Sequence, residues 1–181
     1  MKIAVYLWAC LFSESLWASE YGTQVNNVKV ELVADRYELN ADLNFQLSPV
    51  AKEALHRGIA LTWTLLVKIE EKGELWNHTV QSLGMDYQIQ NHALLNLYSL
   101  KRLSTGERSV FSTLAGALNS LSKIRRIPVL DKPLVRLDRQ YSIAVKVKFK
   151  RESLPIPLRP FSYFDAQWAL SSQWTLWPFQ Q

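Results

Sequence analysis

Along residues 37–47 apolar and polar positions alternate without a fault. Tyr37, Leu39, Ala41, Leu43, Phe45 and Leu47 fall on one face, and Glu38, Asn40, Asp42, Asn44 and Gln46 on the other. A period of two marks a strand with one buried face. Val28, Val30 and Leu32 repeat the pattern upstream, and Ala34-Asp35-Arg36 suits a tight connection, so residues 27–47 are predicted to form a hairpin. Ser48-Pro49 then opens a short helix: serine caps, proline fills the first turn, and Gly58 closes it at positive φ. Val50, Ala51, Ala54 and Leu55 give that helix one apolar stripe.

From Ile59 the period returns to two, with Leu61, Trp63, Leu65, Val67 and Ile69 on one face and Lys72-Gly73 as a turn. Residues 74–82, 86–91 and 94–102 read as further strands. Phe111, Leu114, Ala115, Leu118 and Leu121 follow helical spacing, which predicts a second short helix over 112–122. Pro128 and Pro133 suggest an irregular crossing segment, and Tyr141, Ile143, Val145, Val147 and Phe149 form another faultless alternation. The proline-rich stretch Leu154 to Pro160 is expected to be extended or an edge. Trp168, Leu170, Trp174 and Leu176 suggest a last strand. Half-buried strands at short spacing with two brief helices point to a mostly-β protein, a single antiparallel β-sandwich. The alternative is an α+β layout with both helices covering one sheet.

The N-terminus has a different character. Met1-Lys2 precedes an apolar run from Ile3 to Phe12 and a small residue at Ala18. This is the layout of a secretory signal peptide over residues 1–18, which leaves one β-rich domain over 19–181. An uncleaved anchor would need a longer apolar run. A lipoprotein reading on Cys10 is disfavoured by bulky Trp8. Cys10 is the only cysteine, so a chain cut after Ala18 holds neither disulfides nor thiolate chemistry and depends on its core. Hydrophobic residues make up 48% and charged residues 20%, a balance that excludes a disordered tail, a fibre or a coiled coil.

Catalytic signals are weak. His56, His78 and His92 do not have the spacing of converging metal ligands, no Gly-x-Ser-x-Gly elbow occurs, and the six glycines form no phosphate loop. Glu70, Glu71 and Glu74 flank Lys72-Gly73 and read as a solvated turn. Asn77-His78-Thr79 fits a glycosylation acceptor, a triplet that also arises by chance. No catalytic, cofactor-binding or metal-binding residue is assigned, and a hydrolase ranks third among the functional readings.

The order of these pieces resembles an exported bacterial family of uncharacterised proteins, the domain of unknown function 4390. The resemblance rests on Tyr37-x-Leu39-x-Ala41-Asp42-x-x-Phe45-x-Leu47, Ala54-Leu55-x-x-Gly58-Ile59-x-Leu61 and Phe111-Ser112-x-Leu114-x-x-Ala117-Leu118. Leu154-Pro155-x-Pro157-Leu158 and Trp168-x-Leu170-x-Ser172-x-Trp174 complete it. It implies export in a Gram-negative type of cell and a single β-rich domain, so the expected location is periplasmic or otherwise exported. It supplies no catalytic residues.

Two features remain for function. Phe161, Tyr163, Phe164, Trp168, Trp174, Trp177 and Phe179 crowd the C-terminal end. Trp168 and Trp174 are expected in the core beside Leu170 and Leu176, with Trp177 left open between core and surface. The charge is also uneven. The formal net charge is +5, but residues 19–100 carry −4 and residues 101–151 carry +10. The clusters Lys101-Arg102, Lys123-Arg125-Arg126 and Lys146-Lys148-Lys150-Arg151 form a candidate surface for an anionic partner. The competing reading is a solvated outer face whose lysines protect a sheet edge.

The leading expectation is therefore a non-catalytic interaction module of the cell envelope, binding an envelope protein or an anionic membrane surface, without a cofactor or metal. A carrier of a small apolar ligand between the sheets is the alternative. Nucleic acid is not expected as a partner, because no reading motif accompanies the charge.

Overall fold

The alternation over residues 37–47 becomes the central strand of a small sheet. In the computed structural model, which describes residues 21–136 and 138–179, β1 (Gly22–Val33) and β2 (Arg36–Gln46) form the expected hairpin. The expected signal peptide, with Cys10, lies outside the described residues. Tyr37, Leu39, Ala41, Leu43 and Phe45 are all buried, as are Val28 and Val30, whereas Leu32 is exposed. The short helix α1 (Pro49–His56) starts as expected: the Ser48 hydroxyl accepts from the Ala51 amide, and Gly58 follows at φ +82.

β3 (Leu61–Glu71) comes next, followed by β4 (His78–His92). The two strands expected over 74–82 and 86–91 are one. Gly84 stays within the ladder opposite Leu66, and Asp86 pairs with Thr64. The third predicted strand starts late, because residues 93–95 make a 3-10 turn and Asn96 takes a left-handed conformation before β5 (Leu97–Arg102). β6 (Arg108–Phe111) is a short edge strand, and α2 (Leu114–Leu121) is capped by Thr113.

β7 (Lys123–Asp131) replaces the expected irregular crossing. It is an edge strand against β2, and its register shifts around Pro128, so the missing amide disrupts little. β8 (Tyr141–Phe149) is the second faultless alternation, with all five apolar side chains buried. Residues 151–164 are not extended. They form two 3-10 turns and α3 (Arg159–Phe164), with Pro157 and Pro160 in first-turn positions where a fixed φ favours helix.

The last predicted strand is mostly not one. Trp168 ends a 3-10 turn, and the ladder is confined to β9 (Thr175–Pro178). In between, serine side chains stand in for the strand. The Ser172 hydroxyl accepts from the Val147 amide and the Ser171 hydroxyl from the Phe149 amide.

All pairings are antiparallel, in two sheets ordered β1-β2-β7 and β6-β5-β4-β3-β8-β9. The fold is a mostly-β sandwich. Its two sheets meet through Phe45 of β2, which packs edge-on against Trp63 of β3 with centroids 5.5 Å apart. Trp63 continues to Phe149, and Phe149 stacks on Trp168. At the other end Phe179 lies between Tyr37 and Tyr141 and joins the sheets. Of the C-terminal aromatics, Trp168 and Phe179 are core and Trp177 is partly buried against it. Trp174 corrects the expectation: it is 39% exposed, on the outer face of the six-stranded sheet.

Candidate anionic-partner surface

The cations singled out by sequence do not converge on one patch. On β8 the inward places are taken by Ile143, Val145, Val147 and Phe149, so Lys146 and Lys148 project from the opposite face. Lys150 continues that face just past the strand. Its amide donates to Thr62, Thr62 pairs with Gln88, Gln88 with Lys101, and Lys101 with Arg108. One row across the outer face of the six-stranded sheet therefore carries Lys150 at one side and Lys101 and Arg108 at the other. At about 4.8 Å per strand, Lys150 and Lys101 stand roughly 14 Å apart.

Two cations that the sequence reading did not include belong to this face. Lys68 sits between buried Val67 and Ile69, and its ammonium lies 4.8 Å from the Trp174 ring centroid, with Lys146 at 5.9 Å on the same ring. The alternation of β3 already placed Lys68 outward. Arg108, which donates to His92 Nε2, was hidden because β6 is too short to leave a period.

Against these cations the strands set two outer-face carboxylates, Asp86 and Glu70. Asp86 accepts from Lys150 at 2.8 Å and from the Thr64 hydroxyl. Burial raises the Asp86 carboxyl, but the Lys150 and Thr64 hydrogen bonds together hold it below the usual carboxylate range. Lys148 is bonded to Glu152. Lys68, Lys101 and Lys146 have no carboxylate partner among the described residues, which leaves their charge available to a ligand.

The remaining five sequence-selected cations lie elsewhere. Arg102 points to the inner side of β5, where its guanidinium lies over the Tyr87 ring and pairs with Glu107. Burial pushes the Tyr87 hydroxyl up, against the pull of Arg102. Lys123 and Arg125 sit on β7, with Arg125 held by Asp42 and by the Ala41 and Ile124 carbonyls. Arg126 takes φ +51 in the bulge of that strand. Arg151 donates to the Trp168 carbonyl and covers the Tyr163 ring. Arg102, Lys123 and Arg125 line a small cleft of about 190 Å³, but the last is committed to Asp42 and backbone carbonyls and Arg102 pairs with Glu107.

A cleft of about 480 Å³ opens between β1 and residues 171–175 and has no charged side chain on its walls. Among the described residues no histidine, cysteine, aspartate and glutamate cluster is placed to hold a metal. His92 shares its Nε2 with Ser99 and Arg108 instead.

Neither a curated protein nor a solved structure matches the chain. A family model described as Domain of unknown function (DUF4390) matches residues 20–178, and the chain belongs to that family.

Proposed function

We propose that this domain is a non-catalytic interaction module of the cell envelope, and that it recognises an anionic partner through the outer face of its six-stranded sheet. The observation that carries the reading is the gathering of Lys68, Lys101, Arg108, Lys146, Lys148 and Lys150 on one face, set among the described residues against Asp86 and Glu70 on its strands and Glu152 beside Lys148. A rigid, flat array of partly unpaired cations steers an anion from a distance and holds it by several weak contacts. The filled space between the sheets, where Trp63, Ile143, Val145 and Leu170 are fully buried, favours this outer surface over an apolar ligand carried inside.

Two probes test the reading: labelled protein is titrated with phosphatidylglycerol vesicles and, in parallel, with a poly-glutamate peptide. Binding to at least one is expected at low salt and should weaken steeply as salt rises. Lys101→Gln, Lys146→Gln and Lys148→Gln together should weaken it at least about tenfold, at up to about 1 kcal/mol per lysine. Absence of binding to both probes, or equal binding by the triple variant, overturns the proposal.

A further inference from the structure

Six large apolar side chains stand exposed on two segments of the chain. Leu94 and Leu95 lie in the turn after β4, and Ile156, Phe161, Tyr163 and Phe164 lie beyond β8. β4 and β8 both flank β3 and run antiparallel to it, so both leave the sheet beside its first residue, Leu61. Phe149 stands level with Tyr87 across Trp63, and β4 runs on to His92, so the two exits are about 20 Å apart on that side of the sheet. The two segments therefore mark the same end of the sandwich.

The exposure is built in. Within residues 154–164, Leu154 and Ser162 are fully buried and anchor the segment. Arg159 Nε donates to the Leu154 carbonyl at 2.7 Å, and the Ser162 hydroxyl donates to the Arg159 carbonyl at 2.7 Å. On this anchored scaffold Phe164 is 91% exposed and Ile156 75%. None of the six side chains lines a described cleft, so they project rather than enclose.

The charge around them is net positive. Residues 150–165 hold Lys150, Arg151 and Arg159 against Glu152 and Asp165. The row that ends in Lys101 and Arg108 borders the same end of the sheet. Aromatic and aliphatic side chains interleaved with cations match the headgroup region of an anionic bilayer, where rings sit at the interface and cations meet lipid phosphates. A rigid protein partner would call for a shaped recess, whereas a bilayer accommodates separate projections.

We propose that this end of the domain seats on an anionic lipid bilayer, with Phe161, Phe164 and Ile156 entering the headgroup region and Leu94 and Leu95 touching down beside them. The inference rests on the anionic-partner reading above and names the lipid surface as that partner.

Cosedimentation with phosphatidylglycerol vesicles measures the docking, and phosphatidylcholine vesicles serve as the uncharged comparison. Phe161→Ser with Phe164→Ser is expected to weaken binding to the acidic vesicles at least about tenfold, through lost apolar burial alone. An environment-sensitive dye on Phe164→Cys, in a Cys10→Ser chain, should shift to the blue when those vesicles are added. The same dye on Glu31→Cys, in the small sheet, should not move. Acidic-vesicle binding that survives the double serine variant unchanged, or a dye at position 164 that stays in water, overturns the insertion while leaving the anionic-partner reading standing. Binding to poly-glutamate without binding to vesicles does the same. Loss of both ligands overturns both.

Discussion

Lys150 reaches across the face of β3 to donate to Asp86 of β4 at 2.8 Å, while Thr64 of the intervening strand donates to the same carboxylate. Three strands are tied by one ionised group. Because the folded carboxyl lies below its ordinary value, the stability it adds is fully present above about pH 4, the unfolded value, and is lost as pH falls through the folded one. Asp42 and Glu152 are lowered too and act in the same direction. Hydrogen bonding and attraction from Arg125 hold down Asp42, and a backbone bond and Lys148 hold down Glu152. Melting temperature is expected to fall as pH drops below about 4, and less steeply in Asp86→Asn. An identical slope in that variant shows that Asp86 is not the titrating group.

Lys150 is also the residue in the outer row whose removal costs stability. Lys150→Gln leaves a half-buried Asp86 with Thr64 alone and should destabilise by about 1 kcal/mol. Lys146→Gln has no carboxylate to abandon, only the more distant of two ammonium contacts on the Trp174 ring, and should cost less than Lys150→Gln. Denaturant unfolding separates the two, and equal losses contradict the assignment.

Serine takes over where the β9 ladder stops. The Ser172 hydroxyl accepts from the Val147 amide and donates to the Gln173 carbonyl, while the Ser172 amide donates to the Val147 carbonyl. Ser172→Ala leaves a buried amide without an acceptor and is expected to cost about 1–3 kcal/mol. Hydrogen exchange at the Val147 amide should quicken by more than at the Val145 amide, which lies opposite Thr175 within the β9 ladder. Unchanged exchange at Val147 argues that water replaces the hydroxyl at no cost.

This substitution of side chain for backbone also marks the limit of what sequence shows. Residues 37–47, 61–69 and 141–149 are legible because each strand faces the core on one side only, and burial then imposes a period of two. Pro128 reads as a breaker because periodicity carries no information on whether a strand lies at an edge, where a missing amide is harmless. Residues 154–160 read as extended for a related reason. A proline φ suits both extended chain and the first turn of a helix, and the buried Leu154 decides between them only in three dimensions. The basic surface was half legible: the face of Lys146, Lys148 and Lys150 follows from alternation, but their neighbours Lys101 and Arg108 depend on strand order, which one sequence does not state.

The seam between the sheets rests on the Phe45–Trp63 contact, with Trp63 continuing to Phe149. Phe45→Ala removes the ring that the small sheet contributes and is expected to destabilise by about 3–5 kcal/mol. Val145→Asp places a carboxyl at a fully buried site between β3 and β9 and should cost at least as much, with no buried cation among the described residues to pair it. Near-parental melting of both variants contradicts the packing described.

Trp168 and Trp174 look alike in sequence, both spaced to share a face with Leu170, yet they sit in opposite surroundings. Trp168 is buried, stacked on Phe149 with centroids 5.9 Å apart, and its carbonyl accepts from Arg151. Trp174 precedes the strand β9 on the outer face, where its ring is shared by the Lys68 and Lys146 ammonium groups. An indole in that position gains about 0.5–1 kcal/mol from exposed cations, whereas a core indole gives up its whole buried surface when truncated. Trp174→Ala is therefore expected to cost no more than about 1 kcal/mol, and Trp168→Ala about 3–5 kcal/mol. The two also differ in solvent access: acrylamide should quench less of the total fluorescence once Trp174 is replaced, because an accessible indole has been removed. Charge decides a further point. If the lysines hold the ring, Lys68→Met with Lys146→Met should lower the cost of Trp174→Ala in a double-mutant comparison. An unchanged cost means that the ring rests on apolar stems and that its contact with the two ammonium groups carries no energy.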